Sequence, residues 1–159
     1  MVGKPALSEI DELSRRPGFL VRRLHQIHVA LFIEECTGLD ITPVQYSVMT
    51  VLAAQPELEQ GRVGQEVGVD RATLANVVSR LDARGLVRRT QSRTDRRLKL
   101  VALTAKGKAL LRQVDAPALR AHARTLKPLP PRRRAQFLAE LRRLVEAGNE
   151  YGRAPLRLG

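Results

Sequence analysis

Residues 70–104, DRATLANVVSRLDARGLVRRTQSRTDRRLKLVALT, have the pattern of one amphipathic helix followed by a β-hairpin. In the first half of this stretch, apolar residues recur at spacings of three and four, which is typical of a helix with one buried face. Those residues are Leu74, Val77, Val78 and Leu81. Asp70 is a suitable N-cap, because its carboxylate can accept hydrogen bonds from free backbone N–H groups. The pattern predicts a helix that begins after Asp70 and ends at Gly85.

Two short strands are predicted to follow this helix, at residues 86–89 and 98–103, and the segment between them is strongly basic. Clustered like charges repel one another, so such a segment is costly unless an anion meets it. Its arginines are Arg88, Arg89, Arg93, Arg96 and Arg97. We expect the one acid among them, Asp95, to pair with a neighbouring arginine. Considered alone, the segment is more simply interpreted as a solvated charged turn.

The rest of the chain is predicted to be mostly helical, with helices at about 17–35, 43–54, 61–67, 104–126 and 132–146. Thr42 and Thr104 are the expected N-caps, and Pro117 is a candidate for a bend. A glycine-containing turn at 68–70 joins the third helix to the one after Asp70, and the hairpin comes next. This order describes a winged helix-turn-helix, mainly α with a small β-hairpin wing.

The composition limits the class of protein. The 159 residues fit one domain, and 43% hydrophobic with 3% aromatic residues predicts a mostly aliphatic core. No apolar run is long enough to span a membrane, and the N-terminus has no apolar signal core. A single cysteine, Cys36, excludes an internal disulfide and suits the cytoplasm. The net charge of +12 fits nucleic acid, an anionic membrane or an acidic protein, and we favour nucleic acid.

The solvent face of the helix after Asp70 carries small and polar residues, where a basic protein's ordinary surface would more often carry Lys and Glu. Small side chains let a helix sink into the major groove, where Asn76 can pair bidentately with adenine. Ala72 or the methyl group of Thr73 can meet a thymine methyl group. Arg71 and Arg80 are better placed for phosphates.

In this architecture the basic hairpin is the wing. Its arginines are expected along the sugar–phosphate backbone, and Arg93 is expected at a narrow minor groove, whose negative potential attracts guanidinium groups. The predicted DNA-contacting residues are Arg71, Ala72, Thr73, Asn76, Ser79, Arg80, Arg93, Arg96 and Arg97.

Three segments resemble the multiple-antibiotic-resistance regulators, the MarR-type winged-helix repressors: TPVQYSVMTVLA, VDRATLANVVSRLDARGLVRR and SRTDRRLKLVALTAKGKALL. The resemblance covers about residues 17–150, and the glycine-rich segment 61–64 departs from the family's pattern. It implies one MarR-like domain over residues 1–159. Dimerisation helices are then expected at about 17–36 and 104–151, and the winged helix-turn-helix at about 40–103. The resemblance also implies a homodimer with intertwined terminal helices that binds a pseudo-palindromic operator in double-stranded DNA.

The last helix favours a homodimer on physical grounds as well. A chain of this size cannot bury the apolar face of the last helix and also provide a packing partner for the N-terminal helix, unless a second subunit supplies surface. That face consists of Phe137, Leu138, Leu141, Leu144 and Val145. A two-fold dimer would place two recognition helices about one DNA turn, roughly 34–36 Å, apart.

The first helix is apolar on nearly every side, which suits a helix packed on two sides. Its predicted core stripe consists of Leu20, Leu24, Ile27 and Leu31. A second arc on the same helix joins a guanidinium and two imidazoles to aliphatic and aromatic carbon, a combination that suits a small aromatic carboxylate. With a tyrosine on the next helix, the candidate ligand-binding residues are Arg22, His25, His28, Phe32 and Tyr46.

The alternative for both histidines is that they are satisfied core or interface residues, and spacing alone favours that alternative. The first helix is also similar to that of MarR-type repressors of aromatic-acid breakdown. This resemblance implies that Arg22 and His28 contact the ligand. Benzoates, hydroxycinnamates and nicotinate-like acids all remain open as effectors.

Cys36 offers a redox alternative, since some members of this family sense oxidants through a cysteine. It is expected at a helix C-terminus beside Glu34 and Glu35, where the helix dipole and both carboxylates disfavour a thiolate. The histidines and the single cysteine make no convincing metal site, and no cofactor is expected. Because no nucleophile–base motif or paired carboxylate set is present, we expect no catalytic residues and no enzyme activity.

The sequence therefore predicts a cytoplasmic, sequence-specific transcriptional repressor that a small aromatic acid releases from DNA. A sequence-indifferent architectural DNA-binding protein is a rival hypothesis, although it has no use for Asn76 on a groove-facing surface. A module whose basic surface meets an acidic protein is another, and a redox-responsive regulator that uses Cys36 is a third.

Overall fold

The computed structural model describes residues 12–152 and 154–156. In chain order its elements are α1 (Pro17–Glu35), α2 (Pro43–Ala54), β1 (Leu58–Glu59), α3 (Gln60–Val67), α4 (Arg71–Ala83), β2 (Val87–Gln91), β3 (Lys99–Leu103), α5 (Ala105–Leu126) and α6 (Pro131–Ala147), followed by a 3₁₀ turn (Asn149–Tyr151). The mainly helical architecture with a hairpin after the fourth helix is confirmed. The α5 helix runs through Pro117 without interruption.

The three strands form one antiparallel sheet in the order β1–β3–β2. The hairpin pairs Val87 with Leu103 and Gln91 with Lys99, and Leu58 of β1 pairs with Val101. No sequence pattern predicts β1, because a two-residue strand shows no periodicity.

Capping side chains set the helix starts where the sequence predicts them. The Thr42 hydroxyl accepts a hydrogen bond from the Gln45 N–H, and the Gln45 side chain accepts one from the Thr42 N–H. Asp70 Oδ1 accepts from the Thr73 N–H at 2.9 Å. Thr104 Oγ1 accepts from the Gly107 N–H at 3.0 Å. Each cap satisfies backbone donors that the first helical turn leaves free.

The predicted apolar face of α4 is buried, as the periodicity indicates. Leu74, Val78 and Leu81 lie in a core that includes side chains from α2 and from both long strands. The α3–α4 turn is closed by Gly68 at φ 72°, a left-handed conformation that glycine adopts without strain. The α4 helix, which is the recognition helix of the predicted winged helix-turn-helix, is therefore held by a packed core that it shares with α1 and α5.

The predicted core stripe of α1 is wrong for a single chain. Leu20 and Ile27 are 51% and 47% exposed, whereas Phe32 is the buried residue of this helix. The α1 helix packs chiefly against α5, where Phe32 and Cys36 belong to the same core cluster as Ala118. Because α1 is apolar nearly all round, its spacing could not reveal which face its own chain covers.

The α6 helix leaves its apolar face uncovered. No residue of α6 is classed as buried, and Leu138, Leu144 and Val145 are about half exposed or more. The expectation that one chain cannot bury this face is confirmed. Among residues 12–152 and 154–156, no helix is both long and apolar enough to cross a membrane.

Candidate nucleic-acid interface and the adjoining cleft

The face of α4 opposite the core is open to solvent along its whole length. All six residues predicted to contact DNA from this helix are exposed: Arg71, Ala72, Thr73, Asn76, Ser79 and Arg80. Thr73 Oγ1 donates a hydrogen bond to Asp70 Oδ2 at 2.8 Å, so its hydroxyl is engaged in the helix cap. This leaves its methyl group as the part suited to a thymine methyl contact.

The wing projects Arg93, Arg96 and Arg97, which are all exposed, from the turn between β2 and β3. The buried Ser92 organises this turn, because its Oγ accepts hydrogen bonds from the backbone N–H groups of residues 94 and 95. The wing is thus a hydrogen-bonded scaffold that carries three exposed cationic side chains outward.

The expected pairing of Asp95 with an arginine is not observed. Its Oδ1 accepts a hydrogen bond from the Arg97 backbone N–H at 2.9 Å, and no ion pair joins it to a guanidinium within the described part of the chain. An aspartate two residues before a free N–H forms this local bond readily, since the geometry needs no long side chain. Asp95 therefore shapes the turn and leaves the guanidinium groups available.

An ion pair that the sequence analysis missed joins the wing to α4. Arg89 Nε donates to Asp82 Oδ2 at 3.0 Å, and Arg89 Nη2 lies 2.9 Å from the same oxygen. The two residues lie seven apart in sequence on different elements, so no helical or strand spacing signals the pair. The contact fixes the start of the wing against the end of the recognition helix.

A valley of about 600 Å³ separates the start of α4 from the wing. Its lining includes the cations Arg71, Arg97 and Lys99. Lys99 was not among the predicted contacts, although it lies directly beyond the arginine cluster. The same lining also includes the carboxylates of Glu59 and Asp70, so the valley carries charges of both signs.

A second cleft, of about 410 Å³, lies between α1, α2 and α4. Its apolar lining comes from Val29, Pro43, Val44 and Val77, and its polar lining includes His25, Asn76 and Arg80. Among the described residues, no hydrogen bond or ion pair engages the side chains of these last three. The cleft thus combines an apolar wall with an imidazole, an amide and a guanidinium that are free to bind a ligand.

Of the five predicted ligand residues, His25 alone lines this cleft. His28 instead faces α5, where its Nδ1 shares a hydrogen bond with Thr125 Oγ1 at 2.9 Å and its ring stacks on His122 at 4.9 Å. The Arg22 guanidinium lies 5.5 Å above the Phe19 ring on the exposed side of α1.

The two aromatic residues of the predicted set also lie elsewhere. Phe32 is buried, with its ring 5.7 Å from that of Tyr46. The Tyr46 hydroxyl donates to Asp115 Oδ1 at 3.3 Å. A single chain therefore brings His28, Phe32 and Tyr46 together, since the His28 and Phe32 rings also lie 6.4 Å apart, but it leaves Arg22 and His25 outside this group. Their long-range partners on α5 carry no signal in the local sequence.

Charge and burial shift several pKa values around α1. Burial lowers the pKa of His28 below its ordinary value, and repulsion from His122 and His25 adds to this shift. Hydrogen bonds from Arg120 and Arg124 lower the pKa of Glu35. These arginines lie 2.7 and 2.9 Å from the carboxylate of Glu35 and hold α5 against the end of α1.

Cys36 is buried, and burial raises the pKa of its thiol above the ordinary value. The nearby Arg120 opposes this shift and Glu35 adds to it. A buried thiol with a raised pKa is a poor nucleophile at neutral pH. In the part of the chain that the structure describes, no cluster of three His, Cys, Asp or Glu side chains could hold a metal ion.

Comparisons with known proteins agree with this architecture. A model described as MarR family matches residues 39–98. The chain is similar to the PcaV transcriptional regulator from Streptomyces coelicolor, solved with its natural ligand, at 35% identity and a TM-score of 0.80 over 93% of this chain and 99% of that one.

Two further solved structures are similar. BpsR of Bordetella bronchiseptica, whose DNA binding is regulated by 6-hydroxynicotinic acid, is 32% identical with a TM-score of 0.74 over 80% of this chain and 96% of that one. The transcriptional repressor CouR, bound to a 23-mer DNA duplex, is 27% identical with a TM-score of 0.77 over 90% of this chain and 99% of that one.

Proposed function

Because this chain belongs to the MarR family of transcriptional regulators, we propose that it represses transcription from an operator and is released by a small aromatic carboxylate. One observation carries the proposal. The exposed polar face of α4 lies beside a basic wing, and the same helix forms a wall of the cleft that holds His25. DNA and effector would therefore act on one helix.

The DNA contacts follow from the chemistry of each side chain. Asn76 reads an adenine from the middle of α4, with small residues on either side that permit a close approach. Arg71 and Arg80 bind phosphates, and the wing arginines bind the backbone and minor groove beyond. CouR, solved on a DNA duplex, supports this placement by its similarity over nearly the whole chain.

A homodimer accounts for the apolar surface on the terminal helices. Leu20 and Ile27 of α1 and Leu144 of α6 are each close to half exposed or more in a single chain. Covering such residues with a second copy is favourable at about 25 cal/mol per Å² of apolar area. The terminal helices are then the dimerisation region of one domain, and residues 40–103 form its DNA-binding part.

The effector binds in the cleft between α1, α2 and α4. Its volume of about 410 Å³ is within the range of small-molecule sites. The valines and Pro43 can cover an aromatic ring, Arg80 can pair with the carboxylate of the acid, and His25 can meet a ring substituent. BpsR supports the ligand class, since an aromatic acid regulates its DNA binding.

Arg22 and His28 are further ligand residues that the family resemblance implies. In a dimer, the surface around Arg22 also borders the second subunit, so the complete site would include both chains. An acid bound against Arg80 and Asn76 would occupy side chains that α4 presents to the major groove. It would also change the distance between the two recognition helices of the dimer. This would couple the two sites through one dimer geometry.

A thermal-shift screen of benzoates, hydroxycinnamates and nicotinate-like acids tests the effector directly. A ligand that binds only the folded state raises the melting temperature, and hits should release the protein from the DNA upstream of its own gene. Arg22→Ala and His25→Ala should each bind the operator normally and lose the response to the acid. A full response from either variant would remove that residue from the effector site.

Competition between operator and random DNA at fixed salt separates a regulator from an architectural protein. The regulator should prefer its site by at least about 10³, whereas a sequence-indifferent protein should show almost no preference. Replacing Arg93, Arg96 and Arg97 one at a time should weaken DNA binding and reduce its salt dependence. Unchanged DNA binding in all three variants would instead favour an acidic protein partner.

A further inference from the structure

The chain returns to the winged helix after α6 through its last described residues, which we call the C-terminal strap (residues 149–152 and 154–156). The Asn149 side chain holds the end of the strap with two hydrogen bonds. Its Nδ2 donates to the Leu156 carbonyl at 2.6 Å, and its Oδ1 accepts from the Leu156 N–H at 2.7 Å. A single side chain thus closes the strap into a loop.

The strap lies on the turn between α3 and α4. Leu156 packs over Gly68, with its Cδ1 3.4 Å from the place that a β-carbon on this glycine would occupy. Val67 on one side and Leu144 and Val145 on the other line the same small recess. The end of a dimerisation helix is therefore in contact with the turn that precedes the recognition helix.

The opposite end of α4 is attached to α5. Thr104 Oγ1 donates to the Gly85 carbonyl at 2.7 Å, and Lys106 Nζ donates to the Arg84 carbonyl at 2.8 Å. With 13 residues, α4 is about 20 Å long. The two attachments therefore lie at opposite ends of the recognition helix. One is made by α5, and the other is made by the strap that follows α6.

We propose that the C-terminal strap is a second anchor of the recognition helix, with Asn149 and Leu156 as positioning residues for operator binding. The contacts with α5 hold the C-terminal end of α4 and, through Tyr46 and Asp115, the α2 side of the core. The strap adds a contact at the N-terminal end of α4, about 20 Å away, where it limits the remaining rotation of the winged helix. The inference rests on the proposed DNA-binding function. It concerns the angle at which the dimer presents its two winged helices to the DNA. Neither Asn149 nor Leu156 needs to contact DNA.

The consequence appears only when both halves of a dimer bind together. Two linked winged helices gain affinity from an effective concentration that depends on their geometry. A loosened strap lowers that gain, because the two recognition helices no longer stay one DNA turn apart. Binding of one winged helix to one half-site should not change.

The test compares two duplexes: one selected from a random pool by the wild-type protein, and the same duplex with one half-site scrambled. Asn149→Ala and Leu156→Ala should lower the ratio of full-site to half-site affinity by about tenfold. Half-site affinity and the melting temperature should stay close to wild type. Leu156→Met should restore the ratio, because it conserves apolar volume. Tyr151→Ala is the matched control, since its side chain is 84% exposed on the same strap.

An unchanged ratio in both alanine variants would overturn the inference. Equal losses on the full and half sites would also overturn it, since they would mean that the strap supports folding or contacts DNA itself. A wild-type protein that selects no duplex from the pool would refute the proposed function instead, so the two failures are distinguishable.

Discussion

In this chain the apolar residues of the winged helix are buried, whereas those on the outer faces of the terminal helices α1 and α6 are exposed. In the winged helix, Leu74 and Leu81 are almost fully buried by neighbours from the same chain. In the terminal helices, Leu138 and Leu144 are 51% and 67% exposed, although both lie in a regular helix. The first region is complete in one chain and the second is not.

This difference separates two tasks that one chain carries out. A recognition helix needs a rigid, self-contained support, because its side chains must meet base edges with hydrogen-bond precision. A dimer that transmits a signal needs an extensive contact between subunits, so its apolar surface stays open until a second copy covers it. Four predictions, ordered by expected size, test whether the contrast holds.

The largest effect should come from a charge on the terminal helices. Leu144→Glu would bury an unpaired carboxylate in each copy of the dimer, at several kcal/mol per site. Sedimentation should then give the 17.7 kDa mass of one chain where the wild type gives twice that mass. Ala54→Glu adds the same charge at the exposed end of α2 and should stay dimeric. A dimeric Leu144→Glu variant would show that this surface is not the interface.

A cavity in the winged-helix core should have the next largest effect. Leu81 is fully buried, so Leu81→Ala should lower the free energy of unfolding by about 2–5 kcal/mol in urea titrations. Ser79→Ala, on the exposed face of the same helix, should stay within about 0.5 kcal/mol of wild type. Similar losses in the two variants would mean that α4 does not pack as described.

Replacing a base-reading residue and replacing a phosphate-binding residue should have different effects on DNA binding. Asn76→Ala should weaken operator binding by about 1–3 kcal/mol and relax the preference at one base pair. Arg93→Gln should weaken binding to all sequences and reduce the salt slope by about 0.9. Binding measured at several salt concentrations on operator and mutated operators checks both. If the two variants behave alike, Asn76 does not read a base.

The smallest effect should be a pH dependence located in the terminal helices. Burial and the stacked His122 hold the pKa of His28 below its ordinary value, so the unfolded chain binds this proton more readily. The contribution to stability is therefore present above about pH 6.5 and is lost as the pH falls through the folded pKa. Melting temperatures between pH 7.5 and 5.5 should fall less for His28→Gln than for wild type. Parallel curves would contradict the assignment.

The sequence predicted the winged helix well because its signals are local. The caps at Thr42, Asp70 and Thr104 and the spacing of the buried α4 residues each lie within a few positions of one another. The boundaries of α1 and α2 were also predicted closely. The two-residue strand β1 had no comparable signal, and the local bond of Asp95 to the Arg97 N–H competed with the expected ion pair.

The terminal helices and the cleft depended on contacts that sequence spacing cannot reveal. His28 meets Thr125 across 97 positions, and Tyr46 meets Asp115 of α5 across 69. The core stripe predicted on α1 is wrong for the same reason, since the surface that would cover Leu20 and Ile27 belongs to a second copy of the chain. Arg80 was predicted as a phosphate contact, and only the fold places it in the cleft beside His25.

The stoichiometry of the operator complex tests the account most directly. Sedimentation of a labelled duplex selected by the protein, at fixed salt, should give a complex of two chains per duplex. The same duplex with scrambled half-sites should remain free at that protein concentration. One chain per selected duplex, or equal binding of both duplexes, would contradict the account of a symmetric, sequence-reading regulator.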